Sequence, residues 1–236
     1  MTQPEKIGTR FSLTAKRCLW LGLVGIVLTL SYEIFTELDL SLQDHFYLFD
    51  RKEWLVNSRS PLPRFIFYNL PKILLFTFGG ILLVAVFHEP LRRKFFKQQR
   101  PQLIYVLGCL GCVPLLVSAA KYATHVHCPS ELSRYGGSEE YQKIISLHRT
   151  PYQQVRPHCF PAGHASGGFA LFGLYFAHRR LRWLFPGLAL GWTMGLYQMF
   201  KGAHFLSHTL TTMFLALSVC AALSLLLRSD GNPLQQ

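Results

Sequence analysis

Six apolar runs, separated by short basic clusters and polar loops, constrain this chain more than any other feature of it. They lie at residues 19–36, 65–87, 102–120, 165–177, 183–200 and 205–227. Most approach the ~20 residues that a helix needs to cross a bilayer. The fourth is short and borrows residues from the stretch before it. In lipid every backbone amide must be paired within the segment, so such runs are helical. The expectation is an all-α fold, a polytopic six-transmembrane helix bundle. Residues 1–236 form one integral membrane domain, with a long exoplasmic loop over one end. Soluble classes are set aside.

The net charge of +12 would point to nucleic acid in a soluble domain. Here the positive-inside rule accounts for most of it. Lys6, Arg10, Lys16 and Arg17 precede the first run, and Arg92, Arg93, Lys94, Lys97 and Arg100 link the second to the third. Arg179, Arg180 and Arg182 separate the fourth from the fifth, and Arg228 follows the sixth. If the runs alternate, all of these share one face and both termini are cytoplasmic. A bacterial inner membrane with the opposite loops in the periplasm fits best, and nucleic acid is not an expected partner. The N-terminal basic and apolar stretch lacks a small-x-small cleavage site, so it reads as an uncleaved anchor. The oligomeric state is left open.

Within the first exoplasmic loop, Leu38-Asp39-Leu40-Ser41-Leu42 reads as an interfacial amphipathic segment. Lys72, just inside the second run, reads as a lysine snorkelling to the surface rather than a functional one. The third run ends at Lys121, and a polar loop of about forty residues, Tyr122 to Phe160, follows. Loops of that length are lids, binding loops or disordered segments. Its aromatic and cysteine content argues against disorder. Cys128 and Cys159 both fall in it, on the side where oxidation is permitted. They are expected to form a disulfide, two unpaired thiols being the alternative. Cys109, Cys112 and Cys220 lie inside apolar runs and read as packing residues.

At the end of this loop stands Cys159-Phe160-Pro161-Ala162-Gly163-His164-Ala165-Ser166-Gly167-Gly168. Pro161 suits the first turn of a helix. Gly163 allows close backbone approach. The free N–H groups of a helix start favour an anion. His164 there can shuttle protons at neutral pH. The fifth run closes on Lys201-Gly202-Ala203-His204, and His208 lies four residues further on, on the same helix face. Lys121, His164, His204 and His208 thus belong to helix ends on one side of the membrane. Such a set suits a dianionic phosphate, with separate nucleophile and general acid.

Three motifs carry a resemblance to a known family. Lys121 is followed after six residues by Cys128-Pro129. Next comes Pro161-Ala162-Gly163-His164. Last, Tyr197-Gln198 is followed after five residues by His204 and after three more by His208. In order and spacing they resemble the type 2 phosphatidic acid phosphatase superfamily of membrane lipid phosphatases, which includes bacterial lipid A phosphatases. That family has Lys, six residues, Arg-Pro; Pro-Ser-Gly-His; and Ser-Arg, five residues, His, three residues, Asp. This chain departs from it at Cys128, Ala162, Tyr197, Gln198 and His208 and looks like a divergent branch.

The resemblance implies that His204 attacks phosphorus and forms a phosphohistidine. It makes His164 the group that protonates the leaving oxygen and then activates water. Lys121, with Arg156 or Lys201, holds the phosphate oxygens, helped by the N–H of Gly163. His208 stands where the family has Asp and would orient His204 as a neutral acceptor. Neither metal nor cofactor is implied. The expected function is hydrolysis of a phosphate monoester or diphosphate on lipid A, a prenyl diphosphate or a glycerophospholipid. A lipid phosphotransferase with the same site is the near alternative. A non-catalytic lipid-binding protein, or one holding a metal through His204, His208, His125 and His127, is the distant one.

Overall fold

The computed structural model describes residues 3–96, 100–145 and 158–229. Helix α1 (Gln3–Phe35) leads into the short α2 (Leu38–Asp44) and a two-stranded hairpin of β1 (Tyr47–Leu48) and β2 (Glu53–Trp54). Then α3 (Pro61–Arg64) continues through a π turn into α4 (Leu70–Phe87), followed by the single turn α5 (Glu89–Leu91) and by α6 (Arg100–Thr124). Beyond the long loop come α7 (Gly163–Phe169) and α8 (Gly173–His178), joined by a 3-10 turn. Last come α9 (Phe185–Phe200) and α10 (Leu206–Ser229).

Among the described residues four helical segments are long and apolar enough to cross a membrane: Ser12–Phe35, Pro61–Phe87, Arg100–Glu131 and Leu206–Leu227. The other two apolar runs give shorter pieces, α7 with α8 and the 16-residue α9. Their helices fall short of the ~20 residues of a full crossing.

The bundle is sorted as a membrane protein's is. Large apolar side chains such as Trp20, Phe76 and Leu115 point outward and are exposed. Small and hydroxyl-bearing residues lie inside, among them Thr209, Thr212, Ala216, Ser218 and Ala221. With lipid outside, close backbone approach and interhelical polar contact hold helices together. Thus α1 packs along α10, and a side chain at Gly22 or Gly25 would collide with Ser218 or Phe214. At the α7–α9 crossing Gly168 lies against the backbone of Gly191. The Tyr105 hydroxyl of α6 donates to the Cys220 carbonyl of α10 at 2.7 Å.

Helix α2 is amphipathic, with Asp39 and Gln43 turned inward and its leucines in exposed or partly exposed positions. Asp39 is buried and accepts from the Ser207 N–H at 3.0 Å, from the Ser207 hydroxyl, and from the Tyr32 hydroxyl at 3.0 Å. The Gln43 amide donates to the Met199 carbonyl at 2.8 Å. Hydrogen bonds to groups freed at the ends of α9 and α10 outweigh the apolar stripe. The long loop is fastened from the same side, because buried Glu33 accepts from the Ile144 N–H at 3.0 Å and from the Tyr141 hydroxyl at 3.3 Å. Tyr47, Leu132, Tyr135 and Phe205 form a small core beneath it.

Candidate active site

The last turn of α6 and the first turn of α7 are held together by the loop that joins them. The Thr124 hydroxyl donates to the Phe160 carbonyl at 2.6 Å, and the Cys159 N–H to the Val126 carbonyl at 2.9 Å. A disulfide links Cys128 to Cys159, with Cα atoms 5.2 Å apart, as the sequence led one to expect. Helix α7 starts at Gly163, two residues later than Pro161 suggested, with Ala162 as the residue before its first turn. A side-chain carbon on Gly163 would sit 3.0 Å from Cε and 3.1 Å from Nζ of Lys121. The bare glycine is therefore what lets the lysine lie against the start of α7.

A second device positions His204. The Gly202 N–H donates to the Met199 carbonyl at 3.0 Å and the Ala203 N–H to the Gln198 carbonyl at 2.8 Å. Gly202 has a φ of 74°. This is the Schellman stop, for which glycine in the left-handed region is the favoured residue. Gly202 also lies against the ring of Trp54, which leaves no room for a side chain. Its carbonyl accepts from the Ser130 N–H at 2.8 Å. The chain turns sharply here, delivers His204 to the interior and restarts at once as α10.

His204 and His164 then face one another with ring centroids 6.0 Å apart. Nδ1 of His204 lies 3.6 Å from the Cys159 sulfur. His208 is buried beside them, its ring centroid 5.7 Å from that of His204. Among the described residues no hydrogen bond joins these two rings, and His208 Nδ1 has no hydrogen-bond partner. Burial, followed by the neighbouring His208 and His164, pushes the His204 imidazole well below its usual pKa range. At neutral pH it is an uncharged base with its lone pair available.

Two residues not counted in the site from sequence belong to it. The Tyr68 ring lies 4.9 Å from that of His164, centroid to centroid. It also carries the Lys72 ammonium at 5.2 Å and the Lys201 ammonium at 5.9 Å. Lys201 ends α9 and also sits 5.4 Å from the ring centroid of Tyr197. Lys72 is exposed, as a lysine reaching the surface would be, and it also borders the site. The available signal was its four-residue spacing from Tyr68 at the start of a run. Arg156 lies outside the described residues.

Lys72, Lys121, Gly163 and His164 line one end of a cavity of about 740 Å³. Its remaining walls are apolar, among them Leu75, Phe76, Leu83, Leu107 and Leu110. Phe76 and Leu83 line it and are exposed, so the cavity is open along the side where α4 and α6 wall it. Gly79 and Gly80 border it with nothing within 4 Å of where a side chain would begin.

The cations and imidazoles at one end have the chemistry to hold an anion, and the remaining walls are largely apolar. For a metal ion, the donors that come together among the described residues are Cys159, His204 and His208, within 4.8 Å of one another. Neither His125 nor His127 joins them.

No curated protein and no solved structure matches the chain. The profile of the PAP2 superfamily matches residues 102–230, a stretch that contains Lys121, His164, His204 and His208. The chain belongs to the PAP2 superfamily, the type 2 phosphatidic acid phosphatases.

Proposed function

We propose that the protein is a membrane lipid phosphatase that cleaves a phosphate monoester or diphosphate from an amphiphilic lipid through a phosphohistidine on His204. The observation that carries this reading is the pair of imidazoles, 6.0 Å apart, of which His164 stands with Lys72 and Lys121 at the polar end of a largely apolar cavity and His204 lies buried behind it. In this reading the phosphoryl group lies between the two rings and its hydrocarbon part lies in the cavity.

Nε2 of neutral His204 attacks phosphorus, while Lys121, Lys201 and Lys72 offset charge on the equatorial oxygens and the Gly163 N–H contributes a hydrogen bond. Burial and then the Lys121 ammonium hold the His164 pKa down at about 4. A bound phosphate dianion offsets that charge, so that His164 takes up a proton, gives it to the leaving oxygen and afterwards takes one from the water that releases phosphate. Preorganised positive charge and a positioned acid are the main sources of acceleration open to such a site. The buried neighbours of His204, among them His208, fix its ring. The bundle has six spans in this proposal, with both termini cytoplasmic and the site facing the periplasm of a bacterial inner membrane.

The test is phosphate release by the purified protein from lipid A, a polyprenyl diphosphate and phosphatidic acid. His204→Ala should abolish turnover and His164→Ala should slow it by about two to four orders of magnitude. Full activity in His204→Ala would end the phosphohistidine mechanism.

A further inference from the structure

Cys159 has a neighbourhood that its disulfide does not require. Its sulfur is 3.6 Å from Nδ1 of His204, and a ring nitrogen of His208 completes a set of three donors within 4.8 Å. All three side chains are almost wholly buried, at 1 %, 3 % and 1 % exposure for Cys159, His204 and His208. His208 Nδ1 has no hydrogen-bond partner among the described residues, although a buried imidazole normally finds one.

One spacing in the set, that between the Cys159 sulfur and His204 Nδ1, suits a particular kind of ion. Zinc binds thiolate at about 2.3 Å and imidazole at about 2.0–2.1 Å, and at a tetrahedral angle those lengths put sulfur and nitrogen about 3.6 Å apart. One sulfur and two nitrogens with a fourth position open is also a donor set that zinc accepts. While Cys159 is bonded to Cys128 its sulfur is not a thiolate and cannot serve.

We propose that reduction of the Cys128–Cys159 disulfide converts Cys159, His204 and His208 into a zinc site, so that the redox state of one bond decides whether His204 is free or bound to metal. A dithiol reductant supplies two electrons and two protons. The sulfur–sulfur bond breaks, the reductant becomes a disulfide, and Cys128 and Cys159 become thiols. On binding, the Cys159 thiol releases its proton and the ion takes lone pairs from sulfur and the two imidazoles. Lys121 and Lys201, which act on His204 electrostatically, oppose a cation here, and the thiolate charge offsets them in part. The proposal does not rest on the phosphatase reading. If both hold, the reduced enzyme is inhibited by zinc at its nucleophile.

Cobalt(II) is a suitable probe, because tetrahedral thiolate ligation gives intense d–d bands and a sulfur-to-cobalt charge-transfer band. Cys128→Ser leaves Cys159 as a thiol without any reductant, and it should bind about one cobalt per chain with both signatures, displaced by zinc. Oxidised wild type and Cys159→Ser should show neither. Adding His208→Ala to Cys128→Ser should weaken binding at least about tenfold, since loss of even an outer partner costs that much. Wild type reduced with a phosphine serves as the second measurement should Cys128→Ser fail to fold, and it should behave as that variant does. The absence of charge-transfer absorption in both reduced forms overturns the site, as does unchanged binding after His208→Ala. Each readout is independent of phosphate release.

Discussion

At Gly163 a missing side chain governs where a charge sits. The Lys121 side chain occupies the space that a Cβ would fill, and the far end of a lysine can move aside at little cost. Gly163→Ala should therefore leave thermal stability within about 1 kcal/mol, the usual scale of a tolerated change. Turnover should fall by at least about tenfold as the ammonium is displaced, a loss of some 1.4 kcal/mol in transition-state binding. Equal activity would show that Lys121 does not bind the phosphate. A second expectation at this scale concerns pH. Because burial holds His204 below the usual imidazole range, the acid limb of the rate profile should lie below about pH 6.5. Stability follows the same sign. The unfolded imidazole takes a proton near pH 6.5 and the buried one does not, so stability should fall as pH drops below about 6.5 toward the depressed value. A profile in which activity is half lost at or above pH 6.5 would mean that His204 is not the group being titrated.

Among the elements, α4 and α6 wall the cavity that reaches His164. Gly79 borders the cavity and touches nothing that a side chain would displace, so a large residue can be built there without disturbing the bundle. Gly79→Phe should lower kcat/KM for a long-chain lipid phosphate by about tenfold or more. A small water-soluble phosphate ester should be cleaved as before, because only the hydrocarbon part is excluded. Equal losses for both substrates would place the hydrocarbon elsewhere. The elements also show how far sequence could be read. Lys121, Gly163, His164 and His204 were legible because helix ends and spacing alone bring them together, and the two cysteines because loop and compartment suffice. Tyr68 and Lys72 were obscured because an apolar run gives no strong period to show which of its sides faces inward. The turning of Asp39 toward Ser207 was equally hidden, since it depends on N–H groups that only the folded α10 leaves free.

For the molecule as a whole, the site works only if its parts lie on one side of the bilayer. A reporter fused at Lys94, within the basic link, should read cytoplasmic, and one at Ser138, in the long loop, should read exoplasmic. The same location for both would contradict the six-span arrangement. The opening of the cavity along the side walled by α4 and α6 has a kinetic consequence as well. A lipid entering there never passes through water, so the concentration that sets the rate is its mole fraction in the membrane. Diluting the substrate with inert lipid or detergent at fixed bulk concentration should slow turnover. Adding more vesicles of the same composition should leave the rate per enzyme unchanged.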